Sequence, residues 1–201
     1  MRYLLLILLT CSFLFSNQIE TKPSIIDSLP KNMPLIKKIF WGEKGILRDS
    51  FVDPKSRIKE LKIRRNMLQL HQKVALLTLG EMLYQYHIGN RMAEHNEYQY
   101  KDRHKMLGYI TFSTYMTAAS MSILAPPGMK YSKKKYSTNK LHRYLALIHF
   151  SGMMAQPILG YRTANASELG LDYDKMLTAH NTVGTITMTT YFLAFLVTLF
   201  K

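Results

Sequence analysis

The residues best placed to do chemistry are four histidines, each at the head of a similar pentapeptide. They read His71-Gln-Lys-Val-Ala75, His104-Lys-Met-Leu-Gly108, His142-Arg-Tyr-Leu-Ala146 and His180-Asn-Thr-Val-Gly184. In each copy a residue with little or no side chain follows the histidine four places on, one helical turn away on the same face. Each copy also opens a stretch long and apolar enough to cross a bilayer. An imidazole binds a metal through one ring nitrogen, and a histidine within an apolar span is a functional hypothesis by default. Four imidazoles, each beside a notch, suit a large flat ligand.

The elements that must position them are helices, expected over residues 67–88, 104–124, 141–161 and 178–200. Pro126-Pro127-Gly128 ends the second of these, and Pro157 inside the third predicts a kink. Short loops between four spans predict an all-α fold, an integral-membrane up-down four-helix bundle. In such a bundle the first and third helices start on one membrane face, the second and fourth on the other. His71 is thereby paired with His142, and His104 with His180. Each pair lies on alternate helices, diagonal across the bundle, where two imidazoles reach an iron from opposite sides. Ala75, Gly108, Ala146 and Gly184 then leave room for a porphyrin edge. Lys73, Lys105 and Arg143 follow their histidines closely and are candidates for pairing with haem propionates, with snorkelling to the interface as the alternative.

The faces below two of the histidines run in parallel. From His104 the face reads Gly108, Thr111, Tyr115, Ala118 and Ser122; from His180 it reads Gly184, Thr187, Tyr191, Ala194 and Thr198. Small residues also serve plain helix packing in membranes, but packing does not explain a histidine at the head of all four helices. His149, two turns beyond His142, is an alternative ligand. His87 and His95 fall at or beyond the end of the first helix and are expected in solvent. Glu81 lies within a span, where a carboxylate is costly. It is read either as a proton carrier or quinone partner, or as a neutral acid bonded to a residue such as Gln156.

Composition narrows the class. The chain has 201 residues, 47% of them hydrophobic, with a formal charge of +14. That charge lies beside apolar stretches, where Lys and Arg set topology or meet anionic lipid, so nucleic acid is not the expected partner. Cys11 is the only cysteine, which excludes disulfides within the chain, a Cys-based metal site and covalent C-x-x-C-H haem attachment. Any haem here is held without a covalent tether.

Residues 1–16 read as a signal peptide: a basic second position, then a greasy run too short to span comfortably. The Leu8-Leu9-Thr10-Cys11 stretch resembles a lipoprotein box only loosely, and lipidation is not expected. Residues 17–66 are charged and punctuated by proline. Within them Ile36-Lys-Lys-Ile-Phe-Trp41 has the basic-aromatic character of an interfacial segment, and 55–65 is a helical basic run leading into the first span. Residues 67–201 are the four-helix domain. A cleaved signal peptide would place 17–66 and the basic 130–140 loop outside the cytoplasm, whereas their positive charge points the opposite way.

The four histidine motifs, over about residues 71–200, resemble the cytochrome b561 family, whose four-helix core binds two b haems through histidine pairs on alternate helices. The carried residues are His71, His104, His142 and His180. That family usually has six spans and this chain offers four, so the likeness lies with four-span relatives and looser bacterial versions. The resemblance implies two non-covalent b haems in a multi-pass protein of a bacterial inner membrane. It would pass single electrons from a quinol or similar reductant, with lipid and a redox partner protein as its surroundings. The rival reading is a haem-free membrane interaction or assembly protein whose histidines bond between helices.

Overall fold

The computed structural model describes residues 29–30, 32–48, 57–95, 98–131 and 137–200. The signal-like segment and Cys11 lie outside them. Among the described residues there are five α-helices and no strand: α1 (Leu35–Trp41), α2 (Arg57–His95), α3 (Lys101–Leu124), α4 (Thr138–Ala164) and α5 (Tyr173–Leu199). A 3₁₀ turn at Tyr98–Tyr100 precedes α3.

Local chemistry places the helix ends. Ser137 accepts a hydrogen bond from the Lys140 amide at the start of α4, and Asp172 does the same for Lys175 at the start of α5. Each cap satisfies a backbone donor that has no partner inside the helix. Gly170, at φ 63°, takes the left-handed conformation that closes the turn between the two helices. α3 stops before Ala125-Pro126-Pro127-Gly128, where two prolines cannot continue the ladder. α4 runs through Pro157 as one helix. α2 begins ten residues before the expected span, because the basic run is continuous with it.

By length and composition, one helix among the described residues can cross a membrane, namely α5. The expectation of four spans therefore needs more than hydropathy. The other long helices carry charge and amide groups along their length: Lys73, Glu81 and Gln85 on α2, Asp102, Arg103 and Lys105 on α3, and Arg143, Gln156 and Arg162 on α4.

Contacts divide the chain into two compact units. The first combines the described residues up to Ala75 with Thr117–Tyr131. Here α1 and the start of α2 cap the end of α3. Lys37 Nζ donates to the carbonyls of Ser122 and Ile123, both at 2.9 Å, and to that of Ala125. Trp41 Nε1 donates to Leu124 O at 2.8 Å, and Arg64 Nη1 to Pro126 O at 2.7 Å. Arg57 Nη2 reaches Pro127 O and Gly128 O. Every carbonyl from Ser122 to Gly128 thus accepts a side-chain donor. The last carbonyls of a helix lack partners in the ladder, and cations suit the negative end of its dipole. Burial, with Arg64 nearby, lowers the Lys37 ammonium to about 8, so it remains largely charged at neutral pH.

This unit adds to the interfacial expectation for 36–41 a structural role for two of its residues. Lys37 and Trp41 point inward, at 8% and 3% exposure, while Leu35, Ile36, Lys38 and Ile39 are exposed. Polar hydrogen-bond demand at the end of α3 outweighs the aliphatic character of α1. Glu60, 1% exposed, balances part of the charge through ion pairs with Arg57 and with Arg48 at 3.3 Å. Glu60→Ala leaves the buried Arg57 guanidinium without its carboxylate. The expected destabilisation is roughly 3–5 kcal/mol, read as a lowered midpoint of chemical unfolding in detergent.

The second unit combines Leu76–Met116 with Ser132–Lys201. It draws on α2, α3, α4 and α5, and its buried residues include Leu79, Met82, Tyr115, Met153, Tyr191 and Ala194.

Candidate functional site

The two helical pairs, α2–α3 and α4–α5, repeat each other well beyond the pentapeptides. Gln85 and Gly89 stand in the same relation to His71 as Gln156 and Gly160 do to His142. The structure gives these pairs matching work. Gln85 Nε2 donates to His104 O at 2.9 Å, and Gln156 Nε2 to His180 O at 3.0 Å. A Cβ added at Gly89 would lie 3.0 Å from His104 Cε1, and one at Gly160 would lie 3.3 Å from His180 Cε1. Both glycines therefore let a histidine ring lie against a neighbouring helix.

His104 and His180 face each other. Their ring centroids are 6.2 Å apart and their planes are 77° from parallel. The Nδ1 atoms of both are buried and have no hydrogen-bond partner. Gln85 Oε1 and Thr111 Oγ1 complete the buried unpartnered side-chain atoms among the described residues. Buried polar atoms nearly always find partners, so three such atoms on His104, His180 and the adjoining Gln85 single this place out as a candidate site.

The spacing tests what that something is. A metal bonded to imidazole nitrogens at about 2.0 Å, with each ring centre about 1.1 Å beyond, holds two rings about 6 Å apart. The centroids stand at that separation, with His104 Nε2 lying 3.3 Å from Gln85 Nε2. A bare ion needs further protein ligands, and among the described residues no three His, Cys, Asp or Glu side chains come together. Iron in a porphyrin already has four nitrogens and asks only for the two axial positions. The donor set fits haem.

His71 and His142 are described each within its own unit. His71 Nδ1 lies 2.8 Å from Ala118 O, and His142 Nδ1 lies 3.0 Å from Ala194 O. A carbonyl only accepts, so Nδ1 carries a proton in both rings. Histidines that ligate metals are commonly oriented in this way.

The notch residues divide. The space beside Gly108 holds the Gln85 amide, 3.2 Å from where a Cβ would be, and Gly184 likewise faces Gln156 at 3.4 Å. Ala75 and Ala146 are half-buried. Lys73, Lys105 and Arg143 are exposed, and Arg143 Nε bonds its own helix at Asn139 O. Beside His104, Arg91 and Arg103 both lie over the Tyr100 ring, at 4.9 and 5.7 Å, a cationic pair that the pentapeptides do not reveal.

His149 is buried and shares a 2.8 Å hydrogen bond with the Tyr115 hydroxyl. Glu81 accepts from Thr114 Oγ1 and not from Gln156, which is bonded to His180 instead. His87 is exposed, as expected, and the side chain of His95 lies outside the described residues.

Comparison with models of known protein families, with curated proteins and with solved structures finds no match.

Proposed function

We propose that this chain is a membrane b-type cytochrome, a four-helix bundle of α2 to α5 that passes single electrons through haem held by histidine pairs. The observation that carries the reading is the facing pair His104 and His180, with a separation suited to a metal and buried nitrogens without partners. The repeat extends the same expectation to His71 and to His142, each of which bonds a backbone carbonyl through Nδ1. Held by two imidazoles, a haem would supply one-electron relay rather than oxygen chemistry.

The chain's own residues prepare the site. Gln85 and Gln156 tie the histidine turns to the neighbouring helices, and Gly89 and Gly160 admit the rings. Arg91 and Arg103 supply positive charge for haem carboxylates beside His104. A membrane setting draws on α5 and on large apolar side chains facing outward on the other helices. These include Leu70, Leu77 and Leu83 on α2, and Leu147, Ile148 and Ile158 on α4. In this proposal a quinol or a redox protein is the donor class.

The second reading, a haem-free assembly protein, draws on the same histidine-to-carbonyl bonds as interhelical ties. Pyridine haemochrome assay of the detergent-purified chain separates the two. Two b haems per chain are expected, extractable by acid acetone. A folded protein that takes up no haem when supplied with it overturns the cytochrome reading and leaves the rival.

A further inference from the structure

In the first unit α1 is an amphipathic helix turned inside out. Its polar groups, the Lys37 ammonium and the Trp41 indole N–H, point inward to the carbonyls that end α3. Leu35 and Ile39, one helical turn apart, form the outer stripe, with Ile36 beside them. They are 75%, 48% and 45% exposed in that order. The start of α2 divides in the same sense. Arg57 and Arg64 turn toward the carbonyls after α3, and Glu60 pairs with Arg57. Ile58, Lys62 and Arg65, at helical spacing on the opposite side, are exposed.

The outer side also carries charge of one sign. Lys38, Lys44, Lys59, Lys62 and Arg65 are exposed, and among the described residues of this unit Glu43 is the one exposed acid. The other acid, Glu60, is buried and committed to Arg57 and Arg48. Aliphatic side chains set among cations match both layers of an anionic bilayer surface, with phosphates above and acyl chains below. A second copy of the chain would cover the stripe but bring like charges together. An acidic polypeptide would answer the cations, yet it would need an apolar groove shaped to Leu35, Ile36 and Ile39. A fluid bilayer needs no such match.

We propose that the outer stripe of α1 docks on an anionic phospholipid leaflet, with Leu35, Ile36 and Ile39 among the upper acyl chains and the basic residues around them among the headgroup phosphates. Docking rests on the membrane setting put forward above and is independent of haem. The inward ties of Lys37 and Trp41 fix which way α1 faces, so the stripe meets lipid without rearrangement. Attraction of the cations depends on lipid charge and is screened by salt, whereas burial of aliphatic side chains is not. Lipid charge and ionic strength therefore govern how deeply α1 sits.

The experiment uses the full chain reconstituted into vesicles, with a fluorophore on Ile39→Cys in a Cys11→Ser background. Quenching by lipids that carry a nitroxide on the acyl chain is compared with quenching by acrylamide in the water. In vesicles of phosphatidylcholine and phosphatidylglycerol in equal parts, the nitroxide lipid is expected to quench and acrylamide to be excluded. In phosphatidylcholine alone, or in the anionic vesicles at high salt, acrylamide should gain access. Combining Lys38→Gln, Lys44→Gln, Lys62→Gln and Arg65→Gln should abolish most of the difference between the two lipids. Trp41, the only tryptophan, is buried, so its emission shows whether the unit keeps its fold in these variants. A label open to acrylamide in anionic vesicles overturns the proposal, and so does quenching that ignores lipid charge. A label shielded from both quenchers assigns the stripe to a second copy or another protein and overturns it as well. Flotation of the vesicles keeps the readings apart. A chain that does not float defeats the membrane setting; a floating chain whose label is open to acrylamide defeats the docking alone.

Discussion

His104→Ala and His180→Ala are each expected to abolish the same haem. On the proposed reading either change removes one of the two imidazoles that would hold it, so content at that site should fall by more than the roughly tenfold to hundredfold that loss of a supporting residue causes. The double variant should lose no more than either single one, because both act on one site. Haemochrome assay per chain, with a redox titration to tell centres apart, gives the answer. Retention of that haem in both single variants would remove the pair from the site. Gln85→Ala supplies a graded control: it deletes the tie to His104 O but leaves both imidazoles. It should weaken the same haem without eliminating it.

Gly152→Ala is the packing change with the largest expected effect. A methyl at that position would sit 2.0 Å from Thr187 Oγ1 and 3.2 Å from its Cβ. Thr187 is 1% exposed, and its hydroxyl already donates to Val183 O at 2.6 Å. Turning the hydroxyl away would break that bond, and Cβ itself stays within 3.2 Å, so the packing of α4 against α5 must shift. Overpacking of this kind costs about 1–3 kcal/mol, and the close approach places the change at the upper end. Thermal unfolding in detergent should show a clear drop, with haem lost in parallel from His180 because the same two helices carry Gln156 and Gly160. Thr187→Ala in the same chain should recover part of the stability, since it removes the nearest atom. A fully stable Gly152→Ala would mean that this crossing is not as close as described.

Much of the site was legible from residue types and spacing. The helices of the second unit lie where apolar stretches and breakers put them, and the parallel faces below His104 and His180 end up carrying matched contacts. The glutamines and glycines later in α2 and α4 escaped, although they stand at equal distances from His71 and His142. Gln85 differs little from an ordinary helix residue, and only the comparison of one half with the other singles it out. Two further things required coordinates. The burial of Lys37 and Trp41 depends on carbonyls more than eighty residues away, which no local pattern encodes. At Gly108 and Gly184 the notch alone says only that something approaches. It does not say whether that is a ligand edge or, as here, a glutamine amide.

A tyrosine facing its counterpart and a histidine facing its counterpart are what a hairpin produces when it pairs with a second copy of itself, as in a two-fold dimer. The second unit has the form of such a dimer joined into one polypeptide by the chain between α3 and α4. Symmetry in a true dimer forces every change to occur twice. Fusion lifts that constraint: an acid at Glu81 need not meet a second acid, and His149 need not be doubled. A hairpin repeated within one chain can therefore keep a matched pair of histidines while the residues around them differ between its halves.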